Sequence, residues 1–200
     1  MRDAVVSSSK TREALLDATD RLLARYGYRK MTIDDLAREV GIGKGSVYLH
    51  FPSKEEIALS HIDRLIERLK VRLHEIAAGT GTVEEKLHTM LVERVTFRFD
   101  SIQNYTQSLD ELLSSLRTAL LDRRRKYFAD EARILAEVVT EGQKRSVFTD
   151  GDAFDIGLTL ISATNSLLPY SLSAYELGDR NLVAERAAKT ADILVRGLSL

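Results

Sequence analysis

The chain has 200 residues, of which 44% are hydrophobic and 30% are charged, as in an ordinary soluble protein. It contains no cysteine, which excludes disulfides, thiolate nucleophiles and cysteine-based zinc sites and fits a reducing cytoplasm, the location we expect. The first ten residues lack the apolar run of a signal peptide, and no later stretch is long and apolar enough to span a bilayer. We therefore expect no membrane partner.

The net charge of −1 is unevenly distributed. Residues 1–54 contain ten lysines and arginines against seven acidic residues, a balance of +3, and residues 55–200 have a balance of −4. A basic N-terminal unit on an acidic body is suited to a modular DNA-binding protein.

The first predicted helix covers residues 11–26, and residues 1–9 are predicted to be a frayed arm. One side of this helix is apolar, and Gly27 is expected to end it. The apolar positions are Leu15, Ala18, Leu22 and Tyr26.

Residues 32–54 predict two short helices joined by a sharp turn. Thr32 is a good N-cap, with Asp35 as its capping-box partner, and Gly41 occupies the position of a left-handed C′ residue. The first helix has one apolar face, made of Ile33, Leu36, Ala37 and Val40. In the second helix only Val47 and Phe51 need to point inward, and Pro52 ends it. Ser53 and Glu56 then form a capping box for the next helix.

The outer face of the second short helix is a candidate DNA-binding surface. A lysine and small residues at the start of a short helix, followed by an aromatic hydroxyl and a histidine, suit insertion into a major groove. Lys44 can donate to guanine, whereas Tyr48, His50 and Lys54 can reach phosphates. The predicted DNA-contact residues are Thr32, Lys44, Gly45, Ser46, Tyr48, His50 and Lys54. The alternative is a plain three-helix packing unit with a solvated outer face.

The rest of the chain predicts further helices, with no segment of period two that would indicate a strand. Residues 53–78 form one long helix without a flexible linker, and Thr82 with Glu85 caps the next. Residues 100–107 are expected to form a loop or bent end. A short helix is predicted over 109–121, either separate from or continuous with a long helix that runs through Glu141 and that Gly142 closes. Helices follow over 153–173 and 184–198, and Pro169 is expected to bend the first of these two. The fold class is therefore predicted to be all-α.

Other motifs do not support enzymatic or metal chemistry. The GIGKGS segment at residues 41–46 follows a helix and has its lysine between the glycines, unlike a phosphate-binding loop. The four histidines lack metal-ligand spacing. We expect no metal and no cofactor, and the 122–126 run DRRRK is interpreted as a solvated helix face.

The segment TIDDLAREVGIGKGSVYLHFPSKEEI resembles the N-terminal signature of the TetR-type (tetracycline-repressor-like) regulators. The matching positions are Thr32, Ala37, Gly41, Ile42, Ser46, Val47, Tyr48, Phe51 and Lys54. The resemblance is close over residues 11–59 and extends beyond them only in length and helical layout. In some members a basic residue early in the first of the two short helices contacts bases; here Asp34 and Asp35 occupy that region.

The resemblance implies a non-enzymatic transcription regulator, usually a repressor. It would bind a palindromic double-stranded operator as a homodimer and be released by a small-molecule effector. The expected domains are a DNA-binding domain at 1–54 and an effector-binding and dimerisation domain at 55–200. The alternatives are a constitutive DNA-binding protein without an effector, and a helical enzyme that resembles the family only at its start.

Two residue sets in the second domain complete the predictions. Aromatic residues beside polar ones are compatible with a ligand pocket, although such aromatics are also typical of a core. The candidate pocket residues are Phe97, Tyr105, Tyr127, Phe128, Asn165 and Tyr170. Apolar groups wrap most of the 153–173 helix, and an alanine-rich last helix allows close approach, which predicts a dimer interface. Its candidate residues are Phe154, Leu158, Ile161, Leu168, Ala184, Ala188 and Ala191.

Overall fold

The computed structural model describes residues 2–103, 109–172 and 174–200, with the side chains of these residues other than 2–7, 110 and 174. It confirms the all-α prediction. The helices are α1 (Arg2–Lys30), α2 (Ile33–Val40), α3 (Lys44–His50), α4 (Lys54–Ala78), α5 (Val83–Ser101), α6 (Leu109–Lys144), α7 (Ala153–Ala163), α8 (Ala174–Leu177) and α9 (Arg180–Leu198). Within these described ranges the only β-type pairing is an isolated bridge between Phe148 and Ser199. None of the described helices is long and apolar enough to cross a membrane.

The chain divides into two compact units. Unit 1 comprises Met1–Leu65 with Asn104–Leu120, and unit 2 comprises Ile66–Gln103 with Leu121–Leu200. The division in α4 falls after Leu65 rather than after residue 54, since Ile57 and Ala58 in the first turns of α4 are buried in unit 1.

Unit 1 has its core where α1 packs on α2 and α3. The apolar stripe of α1 supplies Leu15, Ala18 and Leu22, all buried. Gly27 interrupts the helical geometry of α1 with a φ of 73°, so the backbone turns there as predicted. At the other end, α1 begins at Arg2, so the predicted frayed arm is wrong for residues 2–9, which continue the helix.

Unit 2 is built around a single apolar cluster from α4, α5, α6, α7 and α9. Helix α6 runs unbroken for 36 residues and passes through Gly142. That glycine is required for packing because a Cβ there would lie 2.1 Å from Cδ2 of Phe148. Gly157 in α7 is equally constrained, with the carbonyl oxygen of Ala132 2.6 Å from the position of a Cβ.

The predicted helix over 153–173 is wrong in its second half. Helix α7 ends at Ala163, and two short 3₁₀ turns, Asn165–Leu167 and Pro169–Ser171, follow. Thr164 is fully buried, and its hydroxyl bonds the carbonyl oxygens of Leu160 and Ile161. Pro169 therefore starts a turn instead of bending a helix, and Leu168 before it is extended, as a residue preceding proline prefers.

Candidate nucleic-acid interface and effector site

The start of α2 is fixed by a complete capping box. The Thr32 hydroxyl accepts from the backbone N–H of Asp35 at 3.1 Å, and the Asp35 carboxylate accepts from the backbone N–H of Thr32 at 3.1 Å. The hydrogen bond from the Thr32 hydroxyl is the main reason that the pKa of Asp35 is lowered. Thr32 is thus committed to the cap, which satisfies donors that a helix start would otherwise leave free.

The turn between α2 and α3 depends on one left-handed residue. Gly41 has φ 75° and ψ 33°, a conformation that costs glycine little and other residues more. Its backbone N–H and that of Ile42 bond carbonyls in the last turn of α2. This C-cap directs the chain into α3 within three residues.

Helix α3 has one buried side and one exposed side. Val47 is fully buried, and Phe51, at the end of the helix, is buried with the guanidinium of Arg12 4.8 Å from its ring centre. On the other side Tyr48 is 48% exposed. Lys44 and Gly45 are also exposed, whereas Ser46 and His50 are half-buried. The predicted outer face of α3 is therefore present.

Leu49, which is not among the predicted contact residues, is 85% exposed on this helix. The signal was its position two residues after the inward-pointing Val47, on the opposite side of the helix. A leucine exposed to that degree beside Tyr48 can contact apolar groups such as a thymine methyl.

Lys44 is paired within the unit. Its ammonium lies 2.8 Å from the carboxylate of Asp34, and both side chains are about half exposed. The hydrogen bond to Asp34 is the main cause of the raised pKa of Lys44. The acidic residue at the start of α2 therefore holds the lysine at the start of α3 in position on the exposed face.

Lys54 has a structural role that differs from the predicted phosphate contact. Its ammonium donates to the backbone carbonyls of Tyr28, Arg29 and Met31 at 3.1, 3.3 and 3.2 Å, and lies 4.6 Å from the centre of the Tyr28 ring. The three donors of a lysine ammonium are thus engaged at the end of α1. Lys54 therefore ties the start of α4 to that end, and its contact with a phosphate stays a prediction.

Unit 2 contains a buried ionic network that was not predicted from the sequence. Arg94 on α5 and Glu131 on α6 are both fully buried. Nε of Arg94 donates to Oε2 of Glu131 at 2.8 Å. Arg98 binds the other carboxylate oxygen of Glu131. A second nitrogen of Arg94 donates to the hydroxyl of Thr164 at 2.7 Å. The sequence signal was an arginine at an apolar-stripe position of α5, since Leu87, Leu91 and Arg94 share one side of the helix.

Some of the predicted pocket residues meet at this network. The guanidinium of Arg94 lies 5.2 Å from the ring centre of Phe128, and that of Arg124 lies 5.2 Å from the same ring and 5.9 Å from the ring of Tyr170. The hydroxyl of Tyr170 donates to the side-chain carbonyl of Asn165. Phe128, Asn165 and Tyr170 are therefore brought together.

The remaining pocket candidates are Phe97, Tyr127 and Tyr105. Phe97 is half-buried and packs against the apolar cluster of unit 2. Tyr127 is half-buried on α6. Tyr105 lies outside the described residues.

The predicted dimer-interface residues fall into two groups, one buried within the chain and one partly exposed. Ile161, Leu168 and Ala191 are completely buried within the chain itself, so they are not on a surface that a partner could contact, and we remove them from the interface set. Phe154 is 36% exposed, and Leu158, Ala184 and Ala188 are half-exposed. The exposed residues of α7 are Phe154, Asp155, Thr159, Ser162 and Ala163, so its outward side is less apolar than predicted.

The capped α2, the glycine turn and the exposed face of α3 define a helix-turn-helix protein. Residues 15–60 match the family model "Bacterial regulatory proteins, tetR family". The N-terminal unit of this chain is therefore similar to that of the TetR-family regulators.

Comparison with individual proteins agrees with this assignment. The chain is 40% identical to the HTH-type transcriptional regulator EthR of Mycolicibacterium smegmatis over 67 residues, which span 34% of this chain and 31% of EthR. It is 26% identical to the HTH-type transcriptional repressor KstR2 of Mycobacterium tuberculosis over 140 residues, which span 68% of each chain. A TetR-family regulator from Pectobacterium atrosepticum shares the fold with a TM-score of 0.76 and 15% identity, covering 98% of this chain and 97% of that one. The named proteins that this chain resembles are thus transcriptional regulators.

Proposed function

We propose that this protein is a homodimeric transcription regulator, most simply a repressor, that binds a palindromic operator through α3 and is released by a small-molecule effector bound in unit 2. The observation that carries the DNA-binding part is the exposed face of α3, where Lys44, Tyr48 and Leu49 project from a helix whose opposite side is buried. In a helix-turn-helix dimer two such helices enter successive major grooves about 34–36 Å apart.

Gly45 supports this assignment because the protein does not need a glycine there. A Cβ at this position would meet no atom within 4 Å, and Gly45 lies inside α3. Glycine in a helix costs about 0.5–1 kcal/mol relative to alanine. We infer that Gly45 serves DNA binding and not packing, because the absence of a Cβ permits a close approach of α3 to a base edge.

The first experiment measures DNA binding of three variants, with a palindromic fragment selected from a random-sequence pool. Gly45→Ala should preserve or slightly raise the unfolding temperature while weakening binding to the selected fragment. Lys44→Ala should relax discrimination at one base position, worth about 1–3 kcal/mol. Asp34→Asn should strengthen binding, because it removes a carboxylate from the DNA-facing side and releases Lys44.

Arg145→Ala in unit 2 is the matched control, because Arg145 is an exposed basic residue paired with a nearby acid. It should leave the affinity for the fragment unchanged. If Lys44→Ala leaves the sequence preference unaltered and Gly45→Ala leaves the affinity unaltered, α3 is not the helix that contacts the bases.

The effector part is tested by release of the DNA fragment. The observation behind it is the buried network of Arg94, Glu131 and Thr164 with Phe128 and Tyr170 beside it, since ligand sites combine apolar walls with a few placed polar groups. A small molecule that binds unit 2 should lower operator affinity by the ratio of its affinities for the two states. Operator binding that no bound ligand alters would favour the constitutive alternative.

A further inference from the structure

The network around Arg94 carries more positive than negative charge. Arg94 and Arg98 share the single carboxylate of Glu131, and Arg124 faces the same aromatic ring as Arg94. Among the described contacts of these three arginines, Glu131 is the one carboxylate. A buried guanidinium without a full counter-charge is costly, and a site of this kind is stabilised by an added anion.

One nitrogen of Arg94 is left available. Nε donates to Glu131 and Nη1 donates to Thr164, but Nη2 is buried and has no hydrogen-bond partner among the described residues. Native structures rarely leave such a donor unsatisfied, so each case requires an explanation. An anionic oxygen from a ligand would satisfy the donor and the charge together.

Tyr170 marks where such an oxygen would lie. The guanidinium of Arg124 lies 5.9 Å from the centre of the Tyr170 ring. Burial raises the pKa of the Tyr170 hydroxyl, and the positive charges of Arg94, Arg124 and Arg98 act in the opposite direction. Tyr170 lies in a 3₁₀ turn and is 40% exposed.

We propose that Arg94, Arg98 and Arg124 bind the anionic group, a carboxylate or a phosphate, of an organic acid, with Phe128 and Tyr170 against its apolar body. This inference rests on the proposed function in one respect, because the organic acid would be the effector that releases DNA. The binding site itself stands independently of that role.

The experiment uses four aromatic probes of similar size that differ in charge. Phenylacetate and phenyl phosphate carry the two anionic groups, benzyl alcohol is neutral and benzylamine is a cation. Each is titrated into the full chain by calorimetry, and thermal unfolding is measured in parallel at about 10 mM, since a ligand that binds only the folded state raises the unfolding temperature. We expect binding by one or both anions and none by the other two. The stronger anion identifies the headgroup.

Variants then assign the binding to the cluster. Replacing Arg124 by glutamine should weaken anion binding about 10- to 100-fold, the loss of one charge-assisted hydrogen bond. Arg125→Gln, an exposed arginine at the next position of α6, is the matched control and should leave the affinity unchanged. The double variant Arg94→Met with Glu131→Met removes the buried pair together, which proteins often tolerate, and should abolish binding. Because Arg124 is only half-buried, its variant keeps the test valid if the double variant does not fold.

The outcomes separate this inference from the proposed function. If neither anion binds, if benzyl alcohol binds as well as the anions, or if Arg124→Gln and Arg125→Gln behave alike, the anion site is overturned. Anion binding that requires Arg124 but leaves operator affinity unchanged supports the site and contradicts its effector role. Operator release by a neutral or cationic ligand alone supports the proposed function and overturns the anion site.

Discussion

At the residue scale, Lys54 is a side chain whose described contacts stabilise the fold of unit 1. Its three backbone carbonyl partners lie in the segment after Gly27, where α1 loses its helical geometry. Carbonyls at the end of a helix lack intrahelical donors, and a lysine ammonium supplies them.

Replacing Lys54 by alanine should lower the free energy of unfolding by about 1–3 kcal/mol, the effect of losing hydrogen bonds to a charged group. Lys30→Ala, an exposed lysine in the same region, should change it by less than about 0.5 kcal/mol. Urea denaturation of both variants measures the difference. Equal stability of the two variants, together with a weaker salt dependence of DNA binding in Lys54→Ala, would restore the phosphate contact.

Glu131 makes the free energy of unfolding depend on pH. Burial by itself would raise its pKa, but Arg98 and Arg94 together hold the pKa below the ordinary value of 4.5. A carboxylate whose pKa is lowered by folding contributes stability above its unfolded pKa, and that contribution is lost as the pH falls through the folded value. The chain should therefore lose this stabilisation below about pH 4.5.

Glu131→Gln should cost about 3–5 kcal/mol at pH 7, because it leaves two arginines without their shared carboxylate. The difference from the wild type should shrink as the pH falls below 4.5. Denaturation between pH 3 and 7, with exposed Glu137→Gln as the control on the same helix, measures it. A difference that does not vary with pH would show that the charge of Glu131 is not what matters.

At the scale of elements, α6 depends on one glycine. Gly142 admits the Phe148 ring to a distance that no Cβ would allow, and Phe148 is almost fully buried. After Phe148, Asp152 caps the start of α7 by accepting from the backbone N–H of Asp155 at 2.9 Å.

Gly142→Ala should lower the free energy of unfolding by about 1–3 kcal/mol through overpacking. Gly197→Ala is the matched control, since Gly197 lies in α9 and a Cβ there meets nothing within 4 Å. It should raise stability by about 0.5–1 kcal/mol. Thermal unfolding of both should give shifts of opposite sign, and shifts of the same sign would refute the packing role of Phe148.

At the scale of the whole molecule, dimerisation stays a prediction. The surface that remains for it includes Phe154 and Leu158 on α7 with Ala184 and Ala188 on α9, all at least partly exposed. A two-fold axis would use this patch twice.

Ala188→Arg should weaken the dimer by several kcal/mol, because it buries one unpaired charge per subunit near the axis. Ala24→Arg places the same side chain at an exposed position of α1 and should have no effect on assembly. Sedimentation of both at low micromolar concentration measures the result. A folded dimer of Ala188→Arg would place the interface elsewhere.

The sequence by itself determined the features that depend on neighbours along the chain. The Thr32–Asp35 capping box, the left-handed Gly41 and the inward-pointing Val47 were all predicted correctly, because caps, turns and helix faces are set within about four residues. The match of residues 15–60 to the family follows from the same local features.

Only the tertiary structure decided which distant groups meet. Glu131 lies 37 residues and Thr164 lies 70 residues from Arg94, and Lys54 lies 23 to 26 residues from two of its carbonyl partners. The early end of α7 and the burial of Ile161 and Ala191 likewise depend on contacts with other helices. Hydrophobic periodicity shows that a residue faces an apolar surface, but it does not distinguish the chain's own core from a partner, because burial removes apolar area from water equally in both cases.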